Sequence, residues 1–361
     1  MTRLRVGVVG LGEVAQVVHL PILETLPDLY QLTAVCDLSP TLRKTVGDRY
    51  GLTRRYEDVA TMVADAPLDC VLVLTSDEYH TEGVLAALDA GLHVLVEKPM
   101  CLAPSEAQAI IEARDRSECV VMVGYMRRFA PAFTAAKEHL ARLGPVRYAR
   151  VHDVIGRNQL MIDQTARVVR PDDLPPQAMQ DRWARGSALV REALGDVPDV
   201  LAGTYRLLCG LGSHDLSALR ELIGRPRRVA AARQWQNGTY IAALLEYDDF
   251  CVGYETGVDE QLRFDAHLEV YGESAKLRIQ YDTPYIRHLP TTLHLEESVG
   301  DEYRRTAIRP HLKDPYTHEL EAFAACITDG TPVKTTPEDY VQDMELFVEI
   351  IRCLQQAGND Q

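Results

Sequence analysis

A chain of 361 residues is too long for one ordinary hydrophobic core, and long enough for two domains that fold without disulfide or metal staples. Its 53 acidic against 38 basic residues leave a net charge of −15, a surface that repels phosphate backbones and anionic lipid and argues against nucleic-acid and membrane partners. No apolar run reaches the length of a membrane span, and the first residues lead straight into a strand rather than a signal-peptide core, so a cytoplasmic location is expected.

In chain order, the apolar run Leu4 to Val9 meets Gly10-Leu11-Gly12-Glu13-Val14-Ala15, and apolar residues then recur at helical spacing through Val14, Val17 and Val18. That is strand, glycine turn, helix. Gly10 suits the tight turn, Gly12 lets the backbone approach a pyrophosphate, and Ala15 permits close packing of helix on strand, while the helix N-terminus offers free N–H groups. A second apolar run, Leu32 to Cys36, ends in Asp37, whose carboxylate can accept from both ribose hydroxyls of NAD and would repel a 2′-phosphate. NAD is therefore expected in preference to NADP.

The pattern then alternates. Helices are predicted over Pro40 to Tyr50, Asp58 to Ala64, Tyr79 to Ala90 and Pro104 to Arg116. Between them lie extended pieces at Arg54 to Tyr56, Cys70 to Leu74, His93 to Val96 and Val120 to Val123. Alternation of this kind implies a parallel sheet wound on both faces, with its ligand beyond the carboxyl ends of the strands. Those ends carry Thr75, Ser76 and His80, then Glu97-Lys98-Pro99, then Tyr125, Arg127 and Arg128. Asp77 reads better as a helix N-cap before Tyr79 than as a ligand contact.

From about Phe129 the grammar changes. A helix at Pro131 to Arg142 and a strand at Val146 to Val154 precede a polar, proline-bearing insertion at about 156–203, read either as a surface excursion with short helices or as a substrate lid. A helix follows at Ser213 to Ile223. Period-two runs then occur at Arg228 to Trp235, Tyr240 to Tyr247, Cys251 to Thr256, Ala266 to Tyr271, Ala275 to Gln280 and Thr292 to Leu295, before closing helices at Tyr316 to Thr328 and Pro337 to Gln355. The expected fold is α/β: a doubly wound parallel Rossmann domain over 1–125, then an α+β domain over 126–361 with a largely antiparallel open sheet. Eight scattered cysteines without a C-x-x-C pair read as reduced buried thiols, and the histidines lack ligand spacing, so no metal is expected.

Taken together, several blocks resemble the Gfo/Idh/MocA oxidoreductase family, named after glucose–fructose oxidoreductase and inositol dehydrogenase. They are Gly10 to Ala15, Glu97-Lys98-Pro99, Val123 to Phe129, Gly212-Ser213-His214, the hairpin Leu268 to Leu277, and Pro315-Tyr316 through Leu320 with Phe323, Gly330 and Pro332. The resemblance implies NAD(P)-dependent oxidation or reduction of a sugar, cyclitol or related polyol, and a C-terminal sheet that carries the subunit contact of a homodimer or homotetramer.

Hydride transfer from a secondary alcohol needs the hydroxyl proton removed and the developing alkoxide stabilised. With the resemblance, Lys98 takes the second task and His214 the first; without it, a histidine at a helix start reads as a cap or packing residue. Related sequences usually carry aspartates four residues before and three after this histidine, where this chain has Gly210 and Ser217. Asp215 is the expected replacement, with Asp153, His152 and Tyr205 as alternatives. Expected cofactor contacts are Gly10, Gly12, Glu13, Val14, Ala15, Asp37, Thr75, Ser76, His80, Glu97 and Lys98. Expected substrate contacts are Lys98, Tyr125, Arg127, Asp153 and His214, and for Arg128 a salt bridge is an equal reading. Two other functions share these features: an enzyme that oxidises a glycoside transiently, recycling NAD while eliminating the glycosidic bond, and a non-catalytic NAD-binding sensor, against which Lys98 and His214 argue.

Overall fold

Residues 3–359 are described by a computed structural model, in which the chain forms two compact units. The first comprises residues up to Gly124 together with Ala166–Asp196 and Glu319–Gln342. The second comprises Tyr125–Thr165, Val197–His318 and the chain from Asp343 on.

In the first unit, β1 (Leu4–Val9) leads through a π-helical turn at Ala15–His19 into α1 (Leu20–Thr25), and β2 (Tyr30–Cys36) into α2 (Pro40–Arg49). Next come β3 (Arg55–Tyr56), α3 (Val59–Asp65), β4 (Cys70–Val73) and α4 (His80–Asp89). The run closes with β5 (His93–Glu97), α5 (Pro104–Ser117) and β6 (Val121–Gly124). The strands are almost wholly apolar because helices cover both faces of the sheet. They pair in parallel in the order β3-β2-β1-β4-β5-β6. Strand order reverses between β1 and β4, which brings Gly10 and Thr75 together at the carboxyl edge where doubly wound sheets bind ligands.

The chain continues through α6 (Pro131–Leu140), β7 (Tyr148–Gly156), α7 (Asn158–Thr165), α8 (Pro176–Leu194) and α9 (Asp199–Leu207), so the proline-bearing segment is largely helical. A five-residue π turn, Leu208–Gly212, joins α9 to α10 (Ser213–Ile223). The glycines at 210 and 212 therefore lie within a continuous helical run and do not form the open turn their spacing suggests. Two ion pairs, Arg182 to Glu78 at 3.2 Å and Arg185 to Glu82 at 3.0 Å, attach α8 to the first unit. The sequence boundary at 125 puts this segment with the second domain, because pairings across about a hundred residues leave no periodic trace.

The second unit holds an eight-stranded sheet of β7 with β8 (Arg228–Trp235), β9 (Tyr240–Glu246), β10 (Cys251–Asp259), β11 (Phe264–Tyr271), β12 (Ala275–Tyr281), β13 (Thr292–Val299) and β14 (Glu302–Ile308). Its order is β14-β13-β12-β11-β7-β10-β9-β8, antiparallel except where β10 runs parallel to β7. β14 is absent from the sequence reading because it is exposed along nearly its whole length and carries Glu302, Arg304 and Arg305, so no period-two apolar signal exists. One face buries Ala149, Val151, Leu268, Val270, Leu277 and Ile279 under α6 and α10. The opposite face carries Arg150, His152, Glu255, Asp265, His267 and Arg278, linked by ion pairs. Helices α11 (Pro315–Thr328) and α12 (Pro337–Asn359) close the chain. No helix among the described residues is long and apolar enough to cross a membrane.

Gly10 has φ +89°, and a Cβ there would lie 2.6 Å from the Leu74 carbonyl carbon and the Thr75 nitrogen. Gly10→Ala is expected to lower stability by about 2 kcal/mol or more, since both conformation and main-chain contact oppose a methyl group. Thermal melts check this; a transition within a degree of the parent's would refute it.

Candidate functional site

The edge of the first sheet fits a dinucleotide. Beyond Gly10, an added Cβ at Gly12 meets no atom within 4 Å, so that backbone is open to a pyrophosphate, while Ala15 is fully buried against the sheet. Asp37 closes β2 with its carboxylate fixed by two main-chain donors, Leu11 N–H to Oδ2 at 2.7 Å and Ser39 N–H to Oδ1 at 2.8 Å. Burial pushes its carboxyl up, and those two N–H groups pull it back. The Thr75 Oγ1 at the end of β4 is buried without a hydrogen-bond partner, a polar group facing this edge that a ligand can satisfy. Ser76 caps the short helical turn Asp77–Tyr79 by position, without a side-chain bond, so Asp77 is inside that turn and not its cap.

Lys98 follows β5 directly and is half-buried. Its N–H donates to Glu97 Oε2 at 3.1 Å, and Glu97 Oε1 accepts from His19 Nε2 at 2.8 Å. Burial alone would raise the Glu97 carboxyl, but His19, with help from Lys98 and His80, brings it below the usual range. His80 Nδ1 lies 2.7 Å from the Pro99 carbonyl and Nε2 lies 2.9 Å from the Thr75 carbonyl. Both residues were expected to contact cofactor. Within the chain their polar atoms brace the Thr75 and Lys98 segments, as a buried imidazole or carboxylate must be satisfied.

A further set of contacts is invisible to motif reading. The amide of Gln16, in the π turn, grips Val169 twice: Nε2 donates to its carbonyl and Oε1 accepts its N–H, each at 2.9 Å. Arg170 lies 3.8 Å from Glu13, and Asp173 bonds to Ser39 and Thr41. The arm from 166 to 175 thus runs along the glycine turn and the β2–α2 junction.

In the second unit the expected substrate residues form a buried ionic cluster. Arg127 Nη1 donates to Asp153 Oδ2 at 3.0 Å and to Asp215 Oδ1, with the Phe264 and Tyr281 rings at 5.6 and 5.1 Å from the guanidinium carbon. Burial would weaken Arg127's hold on its proton, but the two carboxylates raise it above the ordinary arginine range. Burial likewise drives the Asp215 carboxyl well above the carboxylate range; Arg127 lowers it and Asp153 raises it again. One guanidinium and two carboxyl groups sharing a proton make an electrically neutral cluster. The hydroxyls of Tyr254 and Thr256 are buried beside this cluster, facing one another. Gly212 makes this approach possible, since a Cβ would sit 2.5 Å from the Tyr254 hydroxyl.

His214, second residue of α10, is half-buried directly beside Asp215. The Asp215 carboxylate binds Arg127, however, so its hydrogen bond serves the cluster. Tyr125 donates to Asp343 at 2.8 Å, and Arg220 grips the same carboxylate at 2.6 and 2.8 Å. Arg128 pairs with Glu221 at 2.5 Å, the salt-bridge reading. Tyr125 and Arg127 are accordingly buried within the unit, with their polar atoms bonded to its carboxylates. Tyr205 is buried, and His152 faces Glu255 at 2.8 Å on the charged side of the sheet. Tyr254 and Thr256 went unnoticed in the sequence, although polar residues in the core-facing register of β10 were the available signal.

A carboxyl raised in the folded state contributes stability that is complete below its unfolded value, about 4, and is lost as pH rises toward the folded value. Asp215→Asn stays neutral throughout. Its melting temperature should therefore gain on the parent's between pH 5 and pH 8, whereas parallel curves would refute the protonated pair. Arg127→Met, which strands both carboxyl groups, should cost about 3–5 kcal/mol.

Residues 4–125 match the family model described as the Gfo/Idh/MocA oxidoreductase family, NAD-binding Rossmann fold. Over 93% of this chain and 92% of the relative, it is 26% identical to the myo-inositol 2-dehydrogenase of Thermotoga maritima. A 127-residue stretch, 35% of this chain and 36% of the relative, is 33% identical to the D-glucoside 3-dehydrogenase of Escherichia coli. Among solved structures, the aldose-aldose oxidoreductase of Caulobacter crescentus has a TM-score of 0.75 at 20% identity, covering 99% of this chain and 98% of that one. The scyllo-inositol dehydrogenase of Lactobacillus casei has a TM-score of 0.73 at 19% identity, covering 99% and 97%; both likenesses concern the fold. With a glycine turn between β1 and α1, an acid closing β2 and this match over the whole parallel sheet, residues 4–125 form an NAD-binding Rossmann domain of the Gfo/Idh/MocA oxidoreductase type.

Proposed function

We propose that the protein is an NAD-dependent dehydrogenase acting on a secondary hydroxyl of a cyclitol, sugar or glycoside, with Lys98 and His214 as its polar pair. The observation that carries the reading is the built support of Lys98. A lysine set one residue beyond β5, its N–H held by a buried carboxylate that a histidine holds in turn, is preorganised for one direction of approach. NAD supplies the hydride acceptor when bound. The ammonium of Lys98 hydrogen-bonds the substrate oxygen and stabilises charge as it develops. The His214 imidazole receives the hydroxyl proton in oxidation and returns it in reduction. Similarity to inositol 2-dehydrogenases over most of the chain supports a cyclitol as the first substrate to try.

General acid–base help is worth roughly 10²- to 10⁴-fold, so His214→Ala should lower kcat by about that factor while NAD affinity is kept. Lys98→Met should do at least as much. If both act on one hydroxyl, the double variant should lose little more than the worse single one, since groups that work as a unit are not additive. The assay is NADH formation across a panel of inositols, aldoses and glycosides. Near-normal turnover in both single variants would remove the pair from the mechanism. Product release without net NADH would favour transient oxidation with elimination.

We further propose a homodimer or homotetramer formed through the outer face of the eight-stranded sheet. That face is a ladder of paired opposite charges, Arg150 with Glu255 at 2.8 Å and His267 with Asp265 at 3.1 Å among them, which suits an isologous polar contact. Light scattering at micromolar concentration should give a multiple of 40.4 kDa; a monomer would reject the contact.

A further inference from the structure

We propose that Asp173, carried by the arm between α7 and α8, occupies the place at the start of α2 where the 2′-phosphate of NADP would bind, and so sets cofactor choice together with Asp37. The inference rests on the reading of Asp37 as the ribose acceptor.

The donors at that place are of the kind a phosphate ester takes: a serine hydroxyl and a main-chain N–H at the first turn of a ten-residue helix. Both are already engaged. Ser39 Oγ donates to Asp173 Oδ1 at 2.5 Å, and Thr41 N–H donates to Asp173 Oδ2 at 2.8 Å. A planar carboxylate thus fills the anion position from within the chain. The nearby cation is engaged as well. Arg43 donates to the carbonyls of Asp37 at 2.6 Å and Leu38 at 2.9 Å, and its other nitrogen pairs with Glu57 at 3.2 Å. An incoming 2′-phosphate would find two carboxylates, with the Arg43 guanidinium already committed.

Asp173 is held there by the arm itself. Four residues earlier, the Gln16 amide bonds both polar main-chain atoms of Val169, which limits how far Asp173 can swing aside. Ser39 holds the Asp173 carboxyl below its ordinary range, so it is anionic wherever the protein would be studied. Its charge also pushes the buried Asp37 carboxyl upward, consistent with two acids sharing one field. The ribose hydroxyls of NAD, by contrast, are neutral donors that Asp37 can accept and that the Asp173 charge does not repel.

Calorimetric titration of the parent, Asp173→Ala and Asp173→Asn with NAD, NADP and 2′,5′-ADP tests this without any turnover. Removing the charge and freeing Ser39 and Thr41 should tighten NADP and 2′,5′-ADP binding by at least about tenfold in Asp173→Ala, with a smaller gain in Asp173→Asn. NAD affinity should stay within about threefold, and thermal melts should match, since Asp173 lies at the surface of the arm. Unchanged NADP affinity beside normal NAD binding would overturn the role of Asp173 and leave that of Asp37 standing. Parent protein binding NADP as tightly as NAD would overturn both. Parallel loss of all three ligands in Asp173→Ala would show that the arm holds nucleotide generally and end the selectivity argument.

Discussion

No side chain fits at residue 10, and much of the first unit follows from that. The chain leaving β1 passes within contact of the Leu74–Thr75 peptide because glycine lacks a Cβ and accepts positive φ. This close pass lets Leu11 present its N–H to Asp37, lets the helical turn start immediately, and brings the ends of β1, β2 and β4 to one edge. The open main chain at Gly12 and the Asp37 carboxylate are thereby placed by backbone geometry, with little demand on side-chain ordering. The π turn that follows buries Ala15 and directs Gln16 outward along the arm, so one irregular turn serves both packing and the anchoring of a segment 153 residues away.

The polar groups in the second unit obey a different constraint. Arg127, Asp153 and Asp215 are all removed from water, and a buried ionic group is tolerable only when it is paired and hydrogen-bonded. Arg127 alone cannot neutralise two carboxylates, so burial, with Asp153 beside it, pushes the Asp215 carboxyl up. An arrangement of this kind stabilises less than an apolar core of the same volume would. Its positioning consequence is the fixing of α10 against β7, which sets where His214 begins its helix. A strand carboxyl, Asp153, and a helix carboxyl, Asp215, reach the same guanidinium.

Bracing recurs wherever a candidate group must point one way. Glu97 and His19 hold the main chain at Lys98, His80 ties Thr75 to Pro99, and Asp343 unites Tyr125 with Arg220. In each case the residue that a motif singles out is adjacent to, or identical with, a residue whose polar atoms are fully engaged by the chain. Glu97 and His80 thus sit within the strand-end motifs and support their neighbours through the chain's own hydrogen bonds.

Local chemistry determined a good deal from sequence alone. Apolar runs with helical or twofold period located the strands of both sheets and most helices, since burial on one or two faces leaves that signature in a short window. Helix α10 was predicted with its observed ends, and the glycine turn with Asp37 identified the nucleotide edge from residues close together in the chain. What tertiary structure alone decided are contacts across long sequence separations and elements without an apolar period. β14 is charged and exposed, α8 joins the first unit through ion pairs to Glu78 and Glu82, and Asp173 reaches Ser39 over 134 residues. The same limit applies to Arg127 and Tyr125, whose residue types suit a ligand as well as a buried carboxylate. Which partner each one has depends on what the fold brings beside it, and a sequence window does not contain that information.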